Sequence, residues 1–342
     1  MRLRGTLVIS IAFLIVLASL YYPSKLNTAN AMVKGNTLTY VSPKTDKLIT
    51  VFTELNIGKI LGSFKDESKL LIAAGERTFN NESYSESNWD IYIVDPNTKY
   101  KELIYQEAKN AQLSPNEKFI AIVDKEDNLH VFNVEDNSTR LISAKIHSGV
   151  STPKYWSPSG EKIAFMILEN DVASGIYTFD LSNNTLKKIS TDEEDVKYHS
   201  FFITWENETS LIVVESPLER PEDLKLTGYE ENGSRHHLMN LSVEKGSVID
   251  DISHNYILIR SSLDGAIELY DRTNYKKIND IKGPVDDEQV FRLANIVGES
   301  ERIFIKEYKY IDGIKTTNKT SVFDISKSNE EVISNDIIDL GE

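Results

Sequence analysis

Trp156-Ser157-Pro158-Ser159-Gly160-Glu161-Lys162-Ile163-Ala164-Phe165 decides how this chain folds, because the same pattern stands about 43 residues earlier as Leu113-Ser114-Pro115-Asn116-Glu117-Lys118-Phe119-Ile120-Ala121-Ile122. Ser-Pro presets φ at the first central position of a turn, and the Asn or Gly that follows tolerates a positive φ. A hairpin between two strands results. The runs behind it, Phe119 to Val123 and Ile163 to Leu168, are apolar throughout. Strands buried on both faces read that way, whereas half-exposed strands alternate.

A second half follows each first half. Asp90-Ile91-Tyr92-Ile93-Val94-Asp95-Pro96-Asn97-Thr98 and Gly175-Ile176-Tyr177-Thr178-Phe179-Asp180-Leu181-Ser182-Asn183 are two copies. Asp95, Asp180, Asp271 and Asp324, with Asn133 and Asn240, close the apolar stretch. Such side chains accept hydrogen bonds from backbone N–H groups just beyond, so they are expected to form turns rather than do chemistry. The halves pair at Ser63–Leu103, Ala111–Ile142, Pro153–Ile189, Ile203–Val243, Ile252–Ile278 and Ala294–Ile333. A repeat of this length with four short strands is a propeller blade. Asn36 to Ile49 aligns with a second half only, and Ile337-Ile338-Asp339-Leu340 can supply a missing strand. An all-β, seven-bladed β-propeller closed by strands from both termini is therefore expected, with a six-bladed ring plus an appended hairpin as the alternative.

Trp156 to Phe165, followed by Ile176-Tyr177-Thr178-Phe179-Asp180, resembles the TolB-type propeller repeat, which also builds the propeller of prolyl-oligopeptidase-like peptidases. The likeness covers nearly all of the chain after about residue 36, most closely at these two Ser-Pro copies. It implies the fold. Function is not implied, since one fold hosts many tasks.

Arg2 and Arg4 precede an uncharged apolar run from Leu7 to Leu20, then Pro23 and the small-residue pattern Ala29-Asn30-Ala31. This composition describes a secretory signal over residues 1–31, cleaved after Ala31 or kept as an anchor, ahead of a single propeller domain over 32–342. Either outcome places the domain outside the cytoplasmic membrane, with the membrane met only through that segment. No cysteine occurs, which excludes disulfides and a lipidated N-terminal cysteine. The formal charge of −15 argues against nucleic acid, whose phosphates need basic stripes.

Catalytic signals are few. The chain has no G-x-S-x-G elbow and no H-E-x-x-H spacing. His236 and His237 are adjacent, so in a strand they point to opposite sides, one expected buried and one solvated. Antiparallel strands put the second-to-third-strand connections and the connections between blades on one face. Three long inserts, Glu76–Asn88, Glu215–Arg235 and Glu307–Lys319, carry Tyr84, Tyr229, Tyr308 and Tyr310 to that face as anchors for a partner. Asp192-Glu193-Glu194-Asp195, Asp250-Asp251 and Asp286-Asp287-Glu288 are expected between blades on the same rim, where acids attract a basic peptide or a cation. No calcium-loop spacing supports Ca2+, and no cofactor or metal site is expected. The resulting expectation is a non-catalytic, extracytoplasmic binding platform for a protein or cell-envelope component. A propeller-type lyase or glycoside hydrolase using carboxylates at the channel mouth, such as Asp192 or Asp286, is the alternative.

Overall fold

The computed structural model describes residues 31–334 outside the segments 35–36, 42–47, 53–54, 65–68, 76–88, 96–97, 147–155, 170–171, 193–197, 220–223, 242–246, 262–264, 284–289, 297–301 and 312–313 and the single residues 56, 99 and 254. The described elements are 25 strands and no helix. Antiparallel pairing of neighbours along the chain makes every sheet. The strands β1 (Ala31–Lys34), β2 (Thr37–Val41) and β3 (Leu48–Phe52) form the first. Next come β4 (Ile57–Ser63), β5 (Leu70–Ala74), β6 (Trp89–Asp95), β7 (Tyr100–Leu113), β8 (Phe119–Asp124), β9 (Leu129–Asn133) and β10 (Thr139–Ser143) in one seven-stranded sheet. A third holds β11 (Lys162–Glu169), β12 (Val172–Asp180) and β13 (Thr185–Lys188), with Trp156 bridging to Ile163 beside it. Three four-stranded sheets complete the chain. They are β14 (Tyr198–Trp205), β15 (Ser210–Pro217), β16 (Lys225–Glu230) and β17 (Arg235–Asn240); β18 (Ser247–Ile252), β19 (Tyr256–Ser261), β20 (Ile267–Asp271) and β21 (Lys276–Ile281); and β22 (Val290–Ile296), β23 (Arg302–Ile311), β24 (Ile314–Asp324) and β25 (Asn329–Ser334).

The repeat reading divides Ser63–Leu103 from Ala111–Ile142, yet no loop separates them. Strand β7 pairs with β6 through its first half and with β8 through its second, so one strand is the last of one unit and the first of the next. It turns at Glu107, whose φ is +55°, and the Glu107 N–H donates to Asp90 Oδ1 at 3.2 Å.

Core formation follows from the unbroken apolar runs. In β8, Ile120 and Ile122 pack towards β4–β6, whereas Ala121 and Val123 pack towards β11 and β12. Likewise Leu211 and Val213 of β15 face β11, while Ile212 and Val214 face β18 and β19. Leu258 of β19 continues the series against β22 and β23. Strands β8, β11, β15 and β19 are thus each sandwiched between two sheets, which is why they cannot alternate. A branched side chain buried this way contributes about 1.5–3 kcal/mol.

Outer strands need protection from stray pairing. In β7, β10, β17, β21 and β25 the ladder skips one residue: Ile104, Ile142, Leu238, Ile278 and Ile333 respectively. A bulge bends the edge and removes a flat template.

The Ser-Pro hairpins close as expected. Ser114 N–H donates to the Phe119 carbonyl at 2.8 Å and Phe119 N–H to Ser114 Oγ at 3.0 Å; Ser157 and Lys162 repeat this at 2.9 and 3.2 Å. The positive φ falls on Gly160 (+74°), but in the earlier copy on Glu117 (+62°) instead of Asn116. Asn116 acts through its side chain, accepting from Ser114 Oγ at 2.7 Å and Lys118 N–H at 3.1 Å. Asp95, Asn133, Asp180, Asp271 and Asp324 accept N–H bonds from residues two or three further on, as expected of turn formers. Asn240 does not stop a third strand: it ends β17, opposite Lys225. In that unit Glu230 ends the third strand, and Asn232 and Gly233 (φ +89°) make the turn. On this hairpin face neighbouring sheets are tied together. Trp156 Nε1 donates to the Gln112 carbonyl at 3.1 Å, Lys162 Nζ to Glu231 Oε1 at 2.6 Å, and Arg272 Nη2 to the Trp205 carbonyl at 3.2 Å.

Candidate functional site

Connections between sheets and those joining second to third strands leave from the face opposite the Ser-Pro hairpins, as antiparallel strands dictate. Towards this rim three second strands carry the same pattern. Phe119–Asp124, Ser210–Glu215 and Arg302–Glu307 each run through four apolar or mostly apolar residues to an acid in the sixth place. All three acids are buried, with 6%, 0% and 6% of their surfaces exposed. A buried carboxylate persists only when hydrogen bonds replace its water, and the partners differ.

Asp124 braces its own hairpin. Its Oδ1 accepts from the N–H groups of Glu126 (2.9 Å) and Asn128 (2.8 Å), and its Oδ2 from Asn128 Nδ2 (2.9 Å). His130 Nε2 stands 2.9 Å from Oδ2 and 3.2 Å from the Tyr105 hydroxyl. Burial pushes the Asp124 carboxyl up, but the bonds from Asn128, His130 and Glu126 outweigh it and hold the group below the usual carboxylate range. Tyr105 is pushed up by burial and by the Asp124 and Glu126 charges. This cluster joins the first half of β7 to β8 and β9.

Glu215 gathers side chains from three strands. Register puts it opposite Ser200 of β14 and Lys225 of β16, on the sheet face that packs against β11. Thr227 Oγ1 donates to Oε1 at 2.7 Å, the Tyr229 hydroxyl to Oε2 at 2.9 Å, and Arg235 Nη2 to Oε1. Lys225 Nζ lies 3.6 Å from Oε1. Both cations also cover the ring of Tyr198, with Arg235 Cζ 4.0 Å and Lys225 Nζ 4.4 Å from its centre. Such cation–π contacts are worth about 0.5–2 kcal/mol each. A hydrogen bond from Arg235, aided by the Arg235 and Lys225 charges, holds the Tyr198 phenol below its ordinary value against the effect of burial. Burial disfavours the charge on Arg235, yet the Tyr198 and Glu215 interactions keep its guanidinium above the usual range. Two cations, one fully buried carboxylate and a half-buried aromatic ring therefore share one corner of the rim.

The residues expected to bind a partner are distributed differently. Tyr84, Glu193, Glu194, Asp195, Asp286, Asp287 and Glu288 lie outside the described residues. The insert Glu215–Arg235 contains the whole strand β16, and its Tyr229 is 1% exposed inside the core, so its ring has no surface to offer. The insert Glu307–Lys319 is likewise a strand pair, in which Tyr308 lies opposite Thr317 and Tyr310 opposite Lys315. Those positions extend past the end of β25, which pairs with β24 from Thr320 onward. Asp192 is exposed beside Lys188, whose hydrogen bond and charge hold its carboxyl low.

Asp250-Asp251 is not a connection either, for both residues belong to β18. The ladder skips Asp250, turning its buried carboxylate to Arg260 Nε at 3.0 and 2.9 Å and to the Ala294 N–H of β22 at 3.1 Å. His236 and His237 are both exposed, correcting the expected buried and solvated pair. The His236 ring covers Gly228 of the neighbouring strand, where a Cβ would stand 2.4 Å from ring atoms. Among the described residues no group of three or more His, Cys, Asp or Glu side chains is placed to hold a metal ion. Nor is any described helix long and apolar enough to cross a membrane. The Glu215 cluster is hidden in the sequence because Lys225, Thr227, Tyr229 and Arg235 read as loop. The repeated acid in the sixth place of the second strand is the signal that could have found it.

Comparison with solved structures identifies the architecture. The tricorn protease matches with a TM-score of 0.59 at 15% identity, over 90% of this chain and 33% of that one. This chain thus spans a third of tricorn's length. Oligogalacturonate lyase from Vibrio parahaemolyticus matches at 0.54 and 11% identity, over 91% of this chain and 89% of the lyase. The β-propeller domain of Cps50 (Swd1) from Myceliophteria thermophila matches at 0.51 and 11%, over 80% and 88%. At these identities the likeness is one of fold, and the fold is a β-propeller. No family model matches the chain, and no curated protein sequence does. The TolB-type resemblance accordingly rests on the repeat motif itself.

Proposed function

We propose that this chain is a non-catalytic binding platform that works outside the cytoplasmic membrane and takes its partner, a protein or cell-envelope component, on the rim where second and third strands connect. The observation that carries this reading is the bracing of that rim. Asp124 and Glu215 each fix several neighbouring groups from inside the sheet, so whatever leaves from there leaves from a rigid base. Preorganisation of this kind lowers the ordering cost of association. A glycosidase-like or lyase-like site needs a carboxyl group raised to hold a proton near neutrality. Asp124, Asp136, Asp180, Asp192, Asp271 and Asp324 are instead each held below the usual carboxylate range. Arg2, Arg4 and the apolar run Leu7 to Leu20 support export.

For the ring, seven blades is our reading. One blade would be β1–β3, two would divide at Glu107 of β7, and Trp156 would mark the inner strand of the blade containing β11–β13. Strand β1 lies beside β4, and residues 337–340 would be the strand that closes the first blade.

The test is retention of envelope components by immobilised protein. Replacing Tyr308 and Tyr310 together by Ala is expected to reduce retention severalfold while leaving the thermal midpoint in place. Undiminished retention by the folded variant would remove this face from the reading.

A further inference from the structure

The corner built on Glu215 holds one cation whose hydrogen-bonding capacity is unspent. Lys225 Nζ is 3.6 Å from Glu215 Oε1, beyond hydrogen-bond reach, and its other close neighbour is the Tyr198 ring at 4.4 Å. Glu215 is already engaged by three other donors. Oε1 already accepts from Thr227 and Arg235, and Oε2 from Tyr229. The Lys225 side chain is only 21% exposed, so much of its hydration is gone, yet among the described residues its ammonium has no hydrogen-bond acceptor within reach. Arg235, 20% exposed, stands over the same ring and fixes it. Among the described residues the group carries two positive charges against one negative, in a chain whose formal charge is −15. A surplus of cation among these described residues, beside an aromatic hydroxyl and backed by a buried carboxylate, is complementary to a small oxyanion.

We propose that Lys225 and Tyr198, positioned by Arg235 and Glu215, form a binding site for an oxyanion group presented by the partner. Lys225 would donate to one ligand oxygen and the Tyr198 hydroxyl, which accepts from Arg235, would donate its own proton to another. Glu215 is a positioning residue: it sets where the cations stand and never meets the ligand. The site deepens the binding-platform reading and rests on it for the identity of the face. A carboxylate of an acidic sugar or peptide end and a phosphoryl group share this chemistry, and separate probes distinguish them.

The experiment uses the full chain with its lysines labelled with 13C at Cε, which leaves the three ammonium donors in place. Lys225→Arg identifies the Lys225 signal by its loss. Sodium acetate and sodium phosphate are titrated separately against sodium chloride at equal ionic strength. The Lys225 signal is expected to move along a saturating curve with acetate, phosphate or both, and to follow a shallower, unsaturating one with chloride. Response to acetate assigns a carboxylate source and response to phosphate a phosphoryl source. A Lys225 signal that tracks chloride in all three salts overturns the proposal. As a second measurement, Lys225→Gln should weaken binding of the responding anion by about tenfold or more, roughly 1.4 kcal/mol, while Lys225→Arg retains part of it. Equal affinity in folded Lys225→Gln would equally overturn it. Should the Gln variant not fold, the titration of the unsubstituted chain still decides. The Tyr308 and Tyr310 retention assay reads a different part of the rim, so either result can fail without the other.

Discussion

Replacing Gly160 by Ala tests whether the hairpin face is held by close approach between neighbouring turns. Two costs add there. The residue sits at φ +74°, where an L side chain costs about 1–2 kcal/mol. An added Cβ would also stand 2.8 Å from Asn116 Cγ, with Asn116 Oδ1 and backbone N at 3.0 Å, so the neighbouring turn must move. Overpacking of this kind costs about 1–3 kcal/mol. The sum, about 2–5 kcal/mol, should appear as a lower urea midpoint at neutral pH with an unchanged slope. Two companions separate the contributions. Glu117 holds the equivalent turn position at φ +62°, so Glu117→Gly relieves backbone strain and should be neutral or stabilising by up to about 1 kcal/mol. Two of the three close atoms belong to the Asn116 side chain, so Asn116→Ala should make the Gly160→Ala penalty smaller by about 1 kcal/mol. A Gly160→Ala midpoint within about 0.5 kcal/mol of the parent, or additive effects with Asn116→Ala, would refute the reasoning.

Acid should unfold the protein in a definite window. Asp124, Asp180, Asp271 and Asp324 have depressed pKa values in the folded state, Asp324 at about 2. Their stabilisation is therefore full above the unfolded value of about 3.9 and disappears as pH falls through the folded values. Urea midpoints measured between neutrality and pH of about 2 should fall below about pH 4, and Asp124→Asn should make that fall shallower; a parallel curve would disprove the role of Asp124. Deleting Ile337 to Leu340 should lower the thermal midpoint by several degrees if those residues close the ring. An unchanged midpoint would open it.

Most of the strand scaffold is legible in the sequence because two local signals coincide. Ser-Pro turns announce the hairpins, and apolar runs such as Ile120 to Val123 announce strands covered on both sides. Side-chain partnerships are less legible. Tyr229 reads as a loop aromatic because Thr227 and Gly228 interrupt the apolar pattern, although Thr227 faces a buried carboxylate and Gly228 makes room for His236. Asp250 reads as a surface acid because its partner Arg260 sits 10 residues away on the next strand. Distance along the chain hides pairings that a ladder makes adjacent. The unbroken course of β7 is hidden for a related reason: the polar stretch from Gln106 to Lys109 looks like a loop, while the backbone turns there on a single positive φ at Glu107.

That undivided strand has a mechanical consequence. Here a covalent beam runs through two modules, tied across the bend by Lys125 on Glu107 at 2.7 Å and Lys109 on Asp127 at 2.7 Å. Anything gripping the rim at Trp89 and at Lys125 would press on one stiff body, so force applied at either end arrives at the other without loss in a hinge.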